Sequence, residues 1–383
     1  MFNVLRESSW FLARKRAALV YSAREAKMLS VDWERSRERH DAWWHGEVID
    51  RPLLQVFATK KDRPDDPHPT YKTLEEKWLD PDYRIRLFEW HMARTYYAGD
   101  AFPYLDAHIG PGTLSLYLGA NPVLMDNTVW YHKCVEDIPS AKPPVFDENN
   151  PYWQFSLRFA REGMKRLAGR ALVTYPDLIE NLDTISSLWG NLELLYALID
   201  CPEKVHEFQR AILPLYMEHH RRLYEIIKDE VGGSSFSGFN IYGKGRMAKL
   251  QCDFSAMISA QMFEEFVSPY LAEQCRLLDR TVYHWDGMCA LQHEGPLLAI
   301  KELQAIQWTP GAGKPGTGDP VWYPLYKRVL AAGKPLLLLS VTPREAQDLV
   351  EEFGPEGLNM TTSVGSEEEA DDLVRRSFTW RKR

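Results

Sequence analysis

The stretch Thr281 to Gly287, TVYHWDG, sets an imidazole and a carboxylate two positions apart. Side chains at i and i+2 of a strand lie on one face, so His284 and Asp286 point together while Trp285 points the other way. Such a pair suits metal ligation or proton transfer, and Gly287 lets the backbone turn sharply out of the strand. The same residues also read as a hydrogen-bonded core histidine and a helix N-cap. Three other segments end on polar residues that a core would not choose. In LQCDFS an inward Asp253 carries Gln251 inward and Cys252 outward, and Cys252 then reads as a small buried hydrophobe. ALVTYP runs into Asp177, Asn181 and Asp183, and AIQWTPGAG carries Gln307 and Trp308. The candidate catalytic set is therefore His284, Asp286, Asp253 and Asp177, with Asn181, Asn240, Tyr283, Gln307 and Trp308 as candidate substrate contacts. His284 and Asp286 are the candidate metal ligands, and Cys289 is a third that could swing back toward them, since a thiolate binds zinc well.

Two glycine-rich stretches imitate nucleotide loops without meeting their requirements. In PGAGKPGTGDP, Trp308 stands where a phosphate loop needs its first glycine and Pro315 where it needs Ser or Thr. SGFNIYGKG reads as a hairpin between strands. His219 and His220 are helical neighbours, do not share a face and cannot chelate together, so they are solvent-facing or packed.

The elements that must hold these residues alternate. Strands are predicted near 52–58, 100–106, 171–176, 248–253, 281–286, 304–309, 335–341 and 357–363, with an extra one near 234–239. Long amphipathic helices lie between several of them; from Pro202 on, Val205, Phe208, Ile212, Leu215, Leu223 and Ile226 keep close to a 3.6 period. Eight alternating strands favour an α/β fold of the single (β/α)₈ TIM-barrel type, whose active site sits at the C-terminal strand ends. Residues 1–50 are predicted to be a helical extension, with mixed charge from Arg24 to His40 giving a solvated face, and 51–383 the barrel.

The chain has 383 residues, enough for one large barrel or two smaller domains, and a net charge of −8. With no dominant basic patch, non-specific nucleic-acid binding is not expected. No apolar run approaches the ~20 residues of a membrane span, and five cysteines without a CxxC form neither a disulfide framework nor a zinc ribbon. These features predict a soluble cytoplasmic protein acting on a small molecule, with no membrane partner.

YHWDG followed by LQAIQWTPGAG, preceded by LQCDFSAMISAQMFEEFVSPYLAEQC, resembles the uroporphyrinogen decarboxylase-like superfamily, and within it the branch of corrinoid-dependent methyltransferases. The resemblance spans roughly 50–380 and takes in DAFPYLDAHIGPGTLSLYLGA and DLIENLDTISSLWG. It implies a (β/α)₈ barrel and methyl transfer between a corrinoid, carried by a partner protein, and a small molecule. Methyltransferases of that branch bind zinc through His-x-Cys and a later cysteine; here His284 matches the histidine, but Asp286 replaces the first cysteine and PLLLLSVTP offers Ser340 instead of the second. Zinc or another divalent ion held by nitrogen and oxygen is the form of that site this chain allows. The decarboxylase's arginine-rich N-terminal motif has no counterpart, which argues against porphyrinogen decarboxylation. The rival expectations are a metal-independent lyase or decarboxylase on a carboxylated substrate, and a non-catalytic barrel that binds a small molecule or a corrinoid protein.

Overall fold

The structure, a computed structural model, describes residues 32–383. Among the described residues the strands are β1 (Leu53–Thr59), β2 (Thr95–Gly99), β3 (Tyr104–Leu105), β4 (Asn121–Leu124), β5 (Val129–His132), β6 (Leu172–Val173), β7 (Gly233–Phe236), β8 (Ile241–Lys244), β9 (Met247–Gln251), β10 (Arg280–Asp286), β11 (Ala305–Thr309), β12 (Leu336–Leu338) and β13 (Leu358–Val364). Six of them form a parallel sheet in the order β1-β13-β12-β11-β10-β9, and β2 adds an antiparallel edge beside β1. Helices connect the later strands, as parallel neighbours require. β3 pairs in parallel with β6, Tyr175 bridges Phe236 in parallel, and Ser234 Oγ on β7 accepts from Met247 N on β9 at 3.1 Å.

The fold is thus mixed α/β with a mostly parallel seven-stranded sheet, and the hydrogen-bonded ladder ends at β2 on one side and at β9 on the other instead of closing a ring. Several strands depart from the sequence reading: those expected over 171–176 and 335–341 shorten to β6 and β12, and two differences go further. The strand expected over 100–106 shrinks to β3, because the preceding TYYAG segment, rich in aromatic side chains, takes the edge of β1. The β4–β5 hairpin, 121–132, was not among the expected strands.

Period-2 alternation builds the interior in layers. Leu53, Met247, Val282, Ala305 and Leu337 form one buried cluster with Trp43, Trp44 and Ile241. Two residues further along the strands come Gln55, Lys249, His284 and Gln307, so an apolar floor lies beneath a polar layer. The helix Trp33–Trp44 covers the opposite end: Trp43 Nε1 donates to Leu336 O and Gly357 O at 3.3 and 3.2 Å, and Trp44 Nε1 to Tyr242 O at 2.9 Å. Its charges are not all solvated as the sequence suggests. Arg39 is buried and pairs with Asp50 and Asp100, while Arg51 takes the same fully buried Asp100 at 2.5 Å. The residues before 32, including the start of the expected Arg24–His40 helix, lie outside the described residues.

Among the described residues no helix is long and apolar enough to cross a membrane. On the helix Pro202–Ile227 both members of the histidine pair are packed. His220 stacks on Tyr175 with ring centroids 4.0 Å apart and bonds Met247 O through Nε2 at 3.0 Å, leaving Nδ1 buried and without a partner. Burial pushes its pKa down from 6.5 to about 4. The unfolded chain therefore takes up this proton first, and the fold loses stability as pH falls from 6.5 toward 4. Replacing His220 by Gln, which keeps an N–H donor and does not titrate, should spare about 2 kcal/mol of the loss between pH 7 and pH 4.5. Urea midpoints of both proteins at the two pH values measure this, and equal losses would refute it.

Candidate functional site

The register of β9, β10 and β11 assembles the polar layer. Val282 lies beside Lys249 and Ala305, and His284 beside Gln251 and Gln307. At the C-terminal strand ends one ligand atom from each of Asp253, His284 and Asp286 falls within 4.8 Å of the others, with His284 Nε2 at 3.9 Å from Asp286 Oδ2. Gly287 then adopts φ +81°, turns the chain out of β10 and donates its N–H to Thr309 O at 2.9 Å. The short 3₁₀ turn Met288–His293 takes no side-chain cap, so Asp286 is free of capping duty.

The tautomer of His284 follows from its neighbour. Gln307 Nε2 donates to Trp308 O at 2.8 Å and to Thr309 Oγ1 at 2.9 Å. A carbonyl oxygen only accepts, so the Gln307 amide must turn its own oxygen to His284 Nδ1, which therefore carries the proton. Nε2 is left with a lone pair facing two carboxylates. Burial and the nearby Lys249 ammonium both lower the His284 pKa, which keeps the ring neutral. A neutral imidazole oriented through Nδ1 is the form that ligates a metal.

Lys249 reaches up from below with its side chain almost wholly buried. It forms an ion pair with Asp177 at 2.5 Å, bonds Gln251 Oε1 and lies 5.3 Å from the Phe236 ring. Gln251 Nε2 in turn donates to Asp253 Oδ2 at 3.0 Å. Burial raises the Asp253 pKa; Lys249 opposes this, and Asp286 and Asp177 add to it. Asp177, Asp253 and Asp286 against Lys249 leave two negative charges, which a divalent cation would cancel, and the nitrogen and oxygen donors suit several such ions. Asp183 shapes the loop after β9 by accepting the N–H groups of Asp253 and Phe254 at 2.8 and 2.7 Å. Glu180 is buried, and burial lifts its pKa to about 8, so it holds its proton at neutral pH.

Asp253 and Gln251 also line a cavity of about 530 Å³, which extends past Asp183 to Tyr131, Trp130 and Met257. Its outer wall is the β4–β5 hairpin, where Trp130 is 64% exposed.

The structure brings together Asp253, His284 and Asp286, joins Asp177 to them through Lys249, and sets Gln307 behind His284. The other candidates lie elsewhere. Tyr283 and Trp308 alternate with inward residues and pack into the main core, Trp308 edge-on to both Trp285 and Trp322. Asn181 is buried at φ +56° and accepts a long bond from Gln209. Asn240 faces the interior with its backbone, giving its carbonyl to Gln55 at 2.7 Å. Cys289 is exposed on the turn after Gly287, outside the cluster. Sequence reasoning missed Lys249 and Glu180. Period 2 in KLQCD puts Lys249 on the face of Gln251 and Asp253, so the first was legible; nothing in the local pattern marks the second.

Lys249 is buried and its partner Asp177 half-buried, so removing Asp177 strands the Lys249 charge. Lys249→Met and Asp177→Asn should each cost about 3 kcal/mol, and the double variant less than their sum. Urea unfolding of the four proteins at pH 7 gives the cycle, and strict additivity would show that the pair is not coupled.

No family model matches the chain, and no curated protein matches it. In three dimensions it is similar to a methyltransferase from Methanosarcina mazei, with a TM-score of 0.56 and 11% identity, over 90% of this chain and 98% of that one. At that identity the likeness establishes a shared fold.

Proposed function

We propose that this chain is a methyltransferase-like enzyme on a (β/α)₈ barrel, moving a methyl group between a corrinoid carrier and a small molecule. A divalent metal would be held by His284, Asp286 and Asp253. The observation that carries the reading is the neutral His284 Nε2 facing two carboxylates at the C-terminal ends of parallel strands, where barrel enzymes keep their chemistry. The fold likeness to a methyltransferase supports the reaction class.

A bound divalent ion would supply Lewis acidity toward a donor atom of the small molecule. The chain's own residues do the rest. Gln307 fixes the imidazole, Lys249 pairs with Asp177 beside the cluster, and Tyr131 and Trp130 offer an apolar wall for the organic part of the substrate. A cavity of about 530 Å³ suits a small ligand and is too small for a corrinoid, so the carrier would present its methyl group at the mouth from a partner protein. The five free cysteines, Cys134 and Cys289 exposed among them, are consistent with a reducing, cytoplasmic setting.

One observation favours the rival reading of a metal-independent lyase: Glu180 is a carboxylic acid that keeps its proton at neutral pH, as a general acid must. It is 1% exposed and stands apart from the converging Asp253, His284 and Asp286, which weighs against it.

Metal content and turnover distinguish the readings. His284→Ala should lose stoichiometric metal, Asp286→Asn should lower activity about 10²-fold or more with the fold intact, and Cys289→Ala should change neither. Metal retained in His284→Ala would overturn the ligand assignment. Methyl transfer to or from a corrinoid protein supports the proposal, and product formed without any carrier would refute it in favour of the lyase.

A further inference from the structure

A second cavity, of about 410 Å³, opens where the strand ladder is interrupted between β2 and β3 and shares no lining residue with the first. Tyr97 of β2 and Tyr104 of β3 face it, and Trp78, Tyr83 and Phe88 complete an aromatic wall. Two cations line it as well, and their partners are unusual for this protein. The Arg84 guanidinium donates to two backbone carbonyls, Trp78 O at 3.3 Å and Asp106 O at 2.8 Å, and lies 4.6 Å from the Phe159 ring. Lys77 bonds the backbone carbonyl of Asp126 and sits over the Tyr71 ring. Among the described residues neither has a carboxylate within 4 Å, whereas arginines nearby do: Arg86 pairs with Asp82, and Arg166 and Arg170 with Glu89.

The acid that lines this cavity is bonded to another residue and offsets Arg84 only at longer range. Asp106 Oδ1 accepts both from the His108 backbone N–H, at 3.1 Å, and from His108 Nδ1, at 2.7 Å. Burial lowers the Arg84 pKa to about 10, with Asp106 only partly opposing it. A guanidinium drawn out of water without a carboxylate is costly, and an anion supplied by a ligand would remove that cost. Backbone carbonyls hold the guanidinium in place, and the planar group can meet a carboxylate with two parallel bonds. The aromatic wall beside it would take a flat apolar body.

We propose that this cavity is a second binding site, for a small aromatic carboxylate whose carboxyl group lies on Arg84 and whose ring lies among Trp78, Phe88 and Tyr97. Lys77 adds a longer-range attraction at the entrance. The proposal does not depend on what reaction the first cavity supports.

Titrating the full-length protein with phenylacetate and with neutral phenylacetamide, by calorimetry, tests it. Phenylacetate should bind at least tenfold more tightly than the amide, and Arg84→Met should abolish that preference. Because Arg84→Met removes a buried group and could unfold the chain, Tyr97→Trp serves as a second variant that fills the cavity and leaves Arg84 in place; it should also lower affinity at least tenfold. Equal binding of acid and amide to the unaltered protein would overturn the proposal. So would phenylacetate binding unchanged in Tyr97→Trp, or binding lost in Asp253→Asn, which would put the ligand in the first cavity.

Discussion

A buried ammonium needs countercharge, and Lys249 dictates much of what surrounds it. Its side chain rises from the apolar floor formed by Met247, Val282 and Ala305 into a layer where water is largely excluded. Leaving it alone there would cost several kcal/mol. Asp177, carried in on the segment after β6, makes the direct pair, and Gln251 relays the ammonium's influence to Asp253. The same charge depresses the His284 pKa, which keeps that ring neutral and its Nε2 available. Acidic residues from three chain segments thus gather around a residue that itself touches only one of them, Asp177. The surplus of negative charge that results is what recommends the cluster as a candidate cation site.

The candidate site was legible in the sequence where its residues sit on strands. Alternation with period 2 is a local rule, so His284 with Asp286, and Gln251 with Asp253, could be assigned to one face from TVYHWDG and LQCDFS alone. The same rule, applied evenly, would have removed Tyr283 and Trp308 from the substrate contacts, because both alternate with inward residues. Position at a strand end made those two attractive as candidates, yet each is an aromatic that packs into the main core. Gln307 was picked out as a substrate contact, and the structure gives it a different neighbour: its amide sets the proton on His284. Register between separate strands decides that contact, and no local pattern encodes register.

What could not be read in the fold has a common physical origin in competition for edges. The parallel strands from β9 to β13 and β1 are apolar runs with helices between them, and they stand close to where periodicity put them. β2 is different. Its TYYAG sequence is a reasonable strand and a reasonable helix end, and what settles it is the free edge of β1, to which it pairs antiparallel from Gln55–Gly99 to Thr59–Thr95. Once that edge is taken, β3 cannot continue the ladder there and pairs with β6. The same tertiary choice determines that Arg39, on a helix whose charges look solvated, is drawn into the buried pair with Asp100.

The interrupted ladder also accounts for the contrast between the two cavities. Around the first, strands are in register and their inward residues converge, which concentrates acidic groups at the strand ends and leaves a site short of positive charge. Around the second, β2 and β3 are not bonded to each other, so aromatic side chains from both, and cations from the helices 74–79 and 81–92, fill the space that a continuous sheet would have closed. Those helices carry Lys77 and Arg84 among exposed acids that pair with other basic residues. Among the described residues neither cation has a carboxylate within 4 Å, and Asp106 offsets Arg84 only at longer range. The first cavity is lined by the carboxyl groups of Asp183 and Asp253 and by no cation, and the second by Lys77 and Arg84 against Asp106 alone, so the two cavities favour ligands of opposite charge.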